Sequence, residues 1–218
     1  MKKLTPGMHI RIVSPSLSIE HIGGFEANLA AKERLEKLGF TVSFSEHYLE
    51  NDMLGSASIE SRVADIHVAF SDDSVDAILA TIGGFNCNEL LPYLDFELIA
   101  RNPKIFCGYS DTTALLSAIY SKTGMKTYMG PSYSSFKMEA LQEYQTESWL
   151  KAISQTSYEL TPSEKWGDNA WYLPDAPLTF HKTEWKVYNH GKAQATVVGG
   201  NLSTFSLLRG TPYAPTDE

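Results

Sequence analysis

Short apolar runs and amphipathic stretches alternate along the first 130 residues. His9-Ile10-Arg11-Ile12-Val13 reads as a strand, ended by Ser14-Pro15-Ser16. Glu26 to Leu38 places Ala31, Leu35 and Leu38 on one face and predicts a helix with Gly39 as its C-cap. Thr41-Val42-Ser43-Phe44 predicts a second strand, and a polar loop runs on to about Ser56. Ile59, Val63, Ile66 and Phe70 mark an amphipathic helix. Val75 to Ile82 is an apolar run of strand length that stops at Gly83-Gly84-Phe85-Asn86. A helical stretch broken by Pro92 follows, then a short one from Asp95 to Arg101. Ile105-Phe106-Cys107-Gly108 is again strand-like, and Ala114, Leu115, Ala118 and Ile119 then recur at helical spacing. Strand and helix in alternation predict an α/β fold, a parallel sheet covered on both faces in three layers. In such sheets ligands bind beyond the carboxyl ends of the strands. Ser14, Gly83-Gly84 and Ser110 all fall at such ends.

After Gly130-Pro131 the texture changes. Glu139 to Ile153 predicts a polar helix or connector, and Thr161 to Tyr188 is rich in Trp, Pro and Asp with little periodicity. Ala193 to Val198 predicts a strand, Gly199-Gly200-Asn201 a turn, and Leu202 to Leu208 a short helix closed by Gly210 and Pro212. The expected division is an α/β domain over 1–135, a connector over 136–165, and the beginning of a second domain over 166–218.

Composition narrows the possible functions. The chain has 218 residues, 43% of them apolar, so a substantial core is expected and disorder is not. Its net charge of −8, without a basic run, argues against nucleic acid and anionic membrane as partners. No stretch has the length and apolarity of a bilayer span, and no apolar region follows Lys2 and Lys3 as in a secretory signal. Cys87 and Cys107 lack metal or redox spacing and read as reduced thiols of a cytoplasmic protein.

Gly108-Tyr109-Ser110-Asp111-Thr112 has the layout of a nucleophile elbow: a strand, a sharp turn with a serine at its apex, then a helix. Such a turn exposes the hydroxyl and leaves the next backbone N–H, that of Asp111, at a helix N-terminus where an oxyanion can be held. The same residues also fit a plain helix start, with Ser110 as cap and Asp111 complementing the dipole. Ile82-Gly83-Gly84-Phe85-Asn86 fits either an oxyanion or substrate loop or an ordinary tight turn. It lacks the spacing of a nucleotide loop. Cys107 precedes the apex and belongs to the strand; Cys87 reads as structural. A serine nucleophile needs a base. None of His9, His21, His47, His67, His181 and His190 has a spacing that marks it as one. Trp166, Trp171, Tyr172 and Trp185 suit a clamp for a planar or apolar ligand group or packing between domains. Asn201 suits a substrate contact or an N-cap.

Gly108-Tyr109-Ser110-Asp111-Thr112-Thr113-Ala114-Leu115 with Tyr128-Met129-Gly130-Pro131 resembles the LD-carboxypeptidase family of serine peptidases. Ser14-Pro15-Ser16 and Gly83-Gly84-Phe85-Asn86 with Leu90-Leu91-Pro92-Tyr93-Leu94-Asp95 match its other signatures. Trp171-Tyr172-Leu173-Pro174 and Val198-Gly199-Gly200-Asn201-Leu202-Ser203-Thr204 look like its microcin-immunity (MccF-type) branch. The resemblance implies an N-terminal α/β domain and a smaller, strand-rich C-terminal domain. It implies Ser110 as nucleophile, the backbones of Asp111 and Gly84 as oxyanion hole, and Phe85, Asn201 and Trp171 as substrate contacts. It implies amide cleavage by acyl transfer with no metal and no cofactor, on a murein tetrapeptide or an aminoacyl-nucleotide, by a cytoplasmic homodimer. The aromatic segment from Trp166 to Trp185 favours the second substrate, whose base can stack there.

The family's triad is Ser, Glu, His, with the last two after the Gly-Gly-Asn segment. No position here matches them, and Glu218 lies outside the expected context. The expectation is therefore the N-terminal part of a longer enzyme, inactive as this chain alone. The alternative is a non-catalytic module that binds a peptide or aminoacyl-nucleotide in the same cleft.

Overall fold

The computed structural model describes residues 2–173 and 175–215; Pro174 and Glu218, both touched by the sequence reading, lie outside the described residues. The chain divides into two compact units. One is Met1–Lys137 with the segment that returns from Val198, and the other is Met138–Val197.

The first unit is built on five parallel strands: β1 (His9–Val13), β2 (Thr41–Phe44), β3 (Ala77–Ala80), β4 (Ile105–Gly108) and β5 (Tyr128–Met129), in the order β2-β1-β3-β4-β5. Ile10 lies beside Val42 and Ala77, and Ile78 beside Phe106. Every residue of β3 and β4 is buried, as parallel strands covered on both faces require. Helices α1 (Leu29–Lys37), α2 (Ile59–Ser71), α3 (Phe96–Arg101) and α4 (Thr113–Thr123) supply the crossovers. Ile66 and Phe70 of α2 and Leu115 and Ile119 of α4 enclose Ile78 and Phe106 in one core cluster. Tyr133 packs edge-on against Phe44, ring centroids 5.4 Å apart, and its hydroxyl donates to the Asn28 carbonyl at 2.8 Å.

The predicted helix over Glu26–Leu38 opens as a 3-10 turn, Glu26–Asn28, and becomes α-helical only at Leu29. Asn28 turns its side-chain amide back to the carbonyls of Ile22 and Gly24, a local competition that favours a cap over a helix interior. The strand predicted over Val75–Ile82 is confined to Ala77–Ala80, since the Val75 N–H is taken in a turn by the Asp72 carbonyl.

In the second unit, α5 (Gln142–Ser154) buries Trp149 and Ile153, and β6 (Lys165–Trp166) pairs antiparallel with β7 (His181–Lys182). The expected strand Ala193–Val198 is a correction: residues 193–198 belong to no strand. Val197 is 95% exposed, so the β-prone run lacks the packed surface that turns such residues into strand. From Val198 the chain rejoins the first unit, where α6 (Leu202–Leu207) follows and Leu208 enters the core cluster.

Candidate active site

The strand order reverses direction between β1 and β3, which opens a crevice at their carboxyl ends. Three loops meet there: Ser14–Ser18 after β1, Thr81–Asn86 after β3, and Tyr109–Asp111 after β4. Ser110 stands at the apex of the last with φ 56°, one of three non-glycine residues with positive φ among the described residues. The left-handed conformation is strained for a side chain, by about 1–2 kcal/mol. It turns the chain out of β4 through a 3-10 turn, Ser110–Thr112, that leads into α4 at Thr113, and it leaves Ser110 half-buried, between an exposed Tyr109 and a buried Asp111. Ser110→Gly should therefore be more stable than Ser110→Ala by about 1 kcal/mol, because both lack the hydroxyl and only glycine is at ease there. Paired thermal melts check this; equal midpoints would mean the turn carries no strain.

Gly83 presses against this apex. A Cβ on it would lie 2.8 Å from Ser110 Cβ, 3.2 Å from Ser110 Oγ and 3.3 Å from the Asp111 nitrogen, so only glycine fits unshifted. Gly84 instead faces Ser16 and Leu17, with no room for a Cβ. The Leu17 N–H donates to the Gly83 carbonyl at 3.4 Å, so the Gly84 N–H of that trans peptide points away from Leu17. Phe85 follows on the surface, 59% exposed.

The Asp111 side chain makes a tie that the sequence did not disclose. Its buried carboxylate accepts from Ser16 Oγ at 2.6 Å and from the Cys87 N–H at 2.8 Å, so one group ties all three loops together. Ser16 Oγ also lies 3.1 Å from Asn86 Oδ1, and Asn86 Nδ2 donates to Ser56 Oγ at 3.0 Å. Burial, and then the Asp111 charge beside it, push the Cys87 thiol well above its ordinary pKa, which suits an inert structural cysteine. Cys107 is buried in β4.

Asn201 reaches the same helix end. Its backbone N–H donates to Thr113 Oγ1 at 3.0 Å, and a Cβ on Gly200 would collide with the Thr113 side chain. The Asn201 side-chain oxygen accepts from the Thr204 N–H at 3.1 Å, so it is the N-cap of α6. The first unit thus brings Ser110, Asp111, Gly83, Gly84 and, through Thr113, Asn201 to the start of α4. Trp171 belongs to the second unit, where its ring meets Tyr172 edge-on at 6.0 Å. Trp166, Tyr172 and Trp185 are exposed there.

The four histidines of the first unit have other engagements. His9 bonds Ser43 and the Ser74 carbonyl, His21 sits against Gly55, and His67 accepts from the Asp95 N–H. His47 Nδ1 lies 2.8 Å from Asp65 Oδ1, and that hydrogen bond holds its pKa above the ordinary value against the opposing effect of burial. A raised folded pKa stabilises fully below the unfolded value of about 6.5 and ceases to as pH rises through the folded value. His47→Gln should therefore lower the melting temperature more at about pH 5.5 than at about pH 8.5. An equal loss at both would show that the pair makes no charge-dependent contribution.

A profile of the LD-carboxypeptidase N-terminal domain matches residues 10–130, more than half of the chain. The chain belongs to the LD-carboxypeptidase family. It is 48% identical to the putative carboxypeptidase YocD of Bacillus subtilis, over 99% of this chain and 67% of that one. It is 33% identical to the microcin C7 self-immunity protein MccF of Escherichia coli, over 95% of this chain and 66% of that one. The crystal structure of an MccF-like protein from Bacillus anthracis superposes with a TM-score of 0.95 at 48% identity, covering 99% of this chain and 66% of that one. This LD-carboxypeptidase chain therefore spans about two thirds of the length of these relatives. The chain is thus of a peptidase family, with the parallel α/β fold seen in its solved relatives. Among the described residues no helix is long and apolar enough to cross a membrane.

Proposed function

We propose that the protein is a serine peptidase that cleaves an amide bond by acyl transfer from Ser110. The observation that carries this is the strained apex: Ser110 at φ 56° between β4 and α4, with the Gly83 backbone packed against its side chain. Attack by Ser110 Oγ on a carbonyl places negative charge on the carbonyl oxygen. The N–H groups of Asp111 and Gly84 are the donors for that charge, and the start of α4 adds its dipole. In this reading Phe85 and Asn201 are the substrate contacts of the first unit. The substrate class is an aminoacyl-nucleotide. Relatives support this: a tryptophan-to-phenylalanine mutant of MccF has been solved in complex with adenosine monophosphate, and MccF in complex with aspartyl sulfamoyl adenosine. The exposed aromatics of the second unit suit a planar base. In this reading the protein acts without a metal, as a cytoplasmic homodimer.

A second reading is a binding module without turnover. It is favoured by the hydrogen bonds of His9, His47 and His67, which go to groups other than Ser110, because a serine needs a base. The test is to incubate the protein expressed from its own gene with aspartyl sulfamoyl adenosine or a murein tetrapeptide and follow products by mass spectrometry. Release of aspartate supports the proposal, and release of the terminal D-amino acid instead would move the substrate to murein. Saturable binding by calorimetry with neither product would establish the binding module.

A further inference from the structure

Arg62 is out of place for its pattern. It lies three residues after Ile59 and four before Ile66, on the apolar stripe of α2, and is 3% exposed. A guanidinium is costly to desolvate unless its donors are used. Here Nη1 is spent on two loops of the site. Nη1 donates to the carbonyl of Pro15 at 3.3 Å and to that of Asn86 at 3.2 Å. Nη2 donates to Glu89 Oε2 at 3.1 Å, and Nε is buried without a partner among the described residues. Pro15 immediately precedes Ser16, whose hydroxyl donates to Asp111; Asn86 immediately precedes Cys87, whose N–H donates to the same carboxylate. Arg62 thus joins the same two loops that the Asp111 carboxylate joins.

We propose that Arg62 is a positioning residue. It clamps the loop after β1 to the loop after β3 and so fixes the Gly83–Gly84 peptide against Ser110. The proposal rests on the reading of Ser110 as nucleophile. The planar fork of arginine spans two carbonyls and a carboxylate at once, whereas a lysine ammonium is a point donor on a flexible stem. Glu89 is the lesser partner, because its side chain is 44% exposed while Arg62 is enclosed.

The experiment compares Arg62→Lys and Arg62→Gln with wild type, in the protein expressed from its own gene. Amide hydrogen exchange is read without substrate over residues 14–18, 82–88 and 105–108, and cleavage is read by initial rates. Both variants should exchange faster over 14–18 and 82–88, by about tenfold or more, with 105–108 unchanged. kcat should fall about 10- to 100-fold with KM within about twofold, Lys less affected than Gln, because a loop displaced by an ångström misplaces the transition-state donors. Unchanged exchange over 82–88 in a folded variant would overturn the proposal. So would an equal rise over β4, or failure of both variants to fold, since each marks a general structural role. The exchange readout needs no turnover. It therefore judges Arg62 even if Ser110→Ala retains activity and the nucleophile has to be sought elsewhere.

Discussion

Ser110→Ala is expected to reduce amide cleavage about 10⁴- to 10⁶-fold, with substrate binding nearly unchanged. The size of the effect follows from what remains. Without the hydroxyl there is no acyl intermediate. On the proposed reading only the N–H donors at Asp111 and Gly84 and the binding contacts are left, and in serine hydrolases such groups still give about 10³–10⁴ over the uncatalysed rate. The variant keeps the fold, because Ser110 Oγ has no hydrogen bond that the tie at Asp111 depends on: that carboxylate accepts from Ser16 and Cys87. kcat/KM from initial rates, with affinity by calorimetry, separates the two effects. A variant within tenfold of wild type would remove Ser110 as nucleophile. A variant that loses binding as well as rate would make the serine a substrate contact.

Much of this site is legible in the sequence because it is written in local patterns. A strand-length apolar run that stops at Gly108, then Ser110, then helical spacing from Ala114, defines an apex whose geometry is set within a few residues. Gly83-Gly84 is legible as a glycine-permitted approach, although the sequence does not say which partner each glycine meets: Ser110 for one, Ser16 for the other. The carboxylate of Asp111 is not legible. Its partners lie 95 and 24 residues away in the chain, and long-range pairing leaves no periodic trace. Arg62 leaves a faint one, a cation on the apolar stripe between Ile59 and Ile66, which the amphipathic reading of α2 passed over. The return of the chain at Val198 is hidden for a similar reason: it depends on Thr113 receiving the Asn201 N–H and on a core place for Leu208. Local propensity did mislead at Ala193–Val198, where β-prone residues found no strand.

Asp111→Ala is expected to destabilise the protein by about 2–4 kcal/mol, the largest loss from any single polar side chain of the site. Hydrogen bonds to a charged acceptor contribute about 1.5–3 kcal/mol each, and Asp111 accepts two. The two donors fare differently once it is gone. Ser16 Oγ retains Asn86 Oδ1 at 3.1 Å, whereas the Cys87 N–H is left buried without its acceptor. Relief from desolvating a carboxylate offsets part of the loss, which keeps the net below the sum of the two bonds. At this chain length each kcal/mol lowers the melting temperature about 2–4 °C, so a drop of about 5–15 °C is expected. Ser16→Ala should cost less, and the double variant should cost less than the sum of the two singles by about 1 kcal/mol, because both remove one bond. Strict additivity would mean that the 2.6 Å contact between Ser16 and Asp111 contributes nothing. A near-neutral Asp111→Ala would mean that the three loops hold their places without the carboxylate, and the geometry at Ser110 would then have to be maintained from the Arg62 side alone.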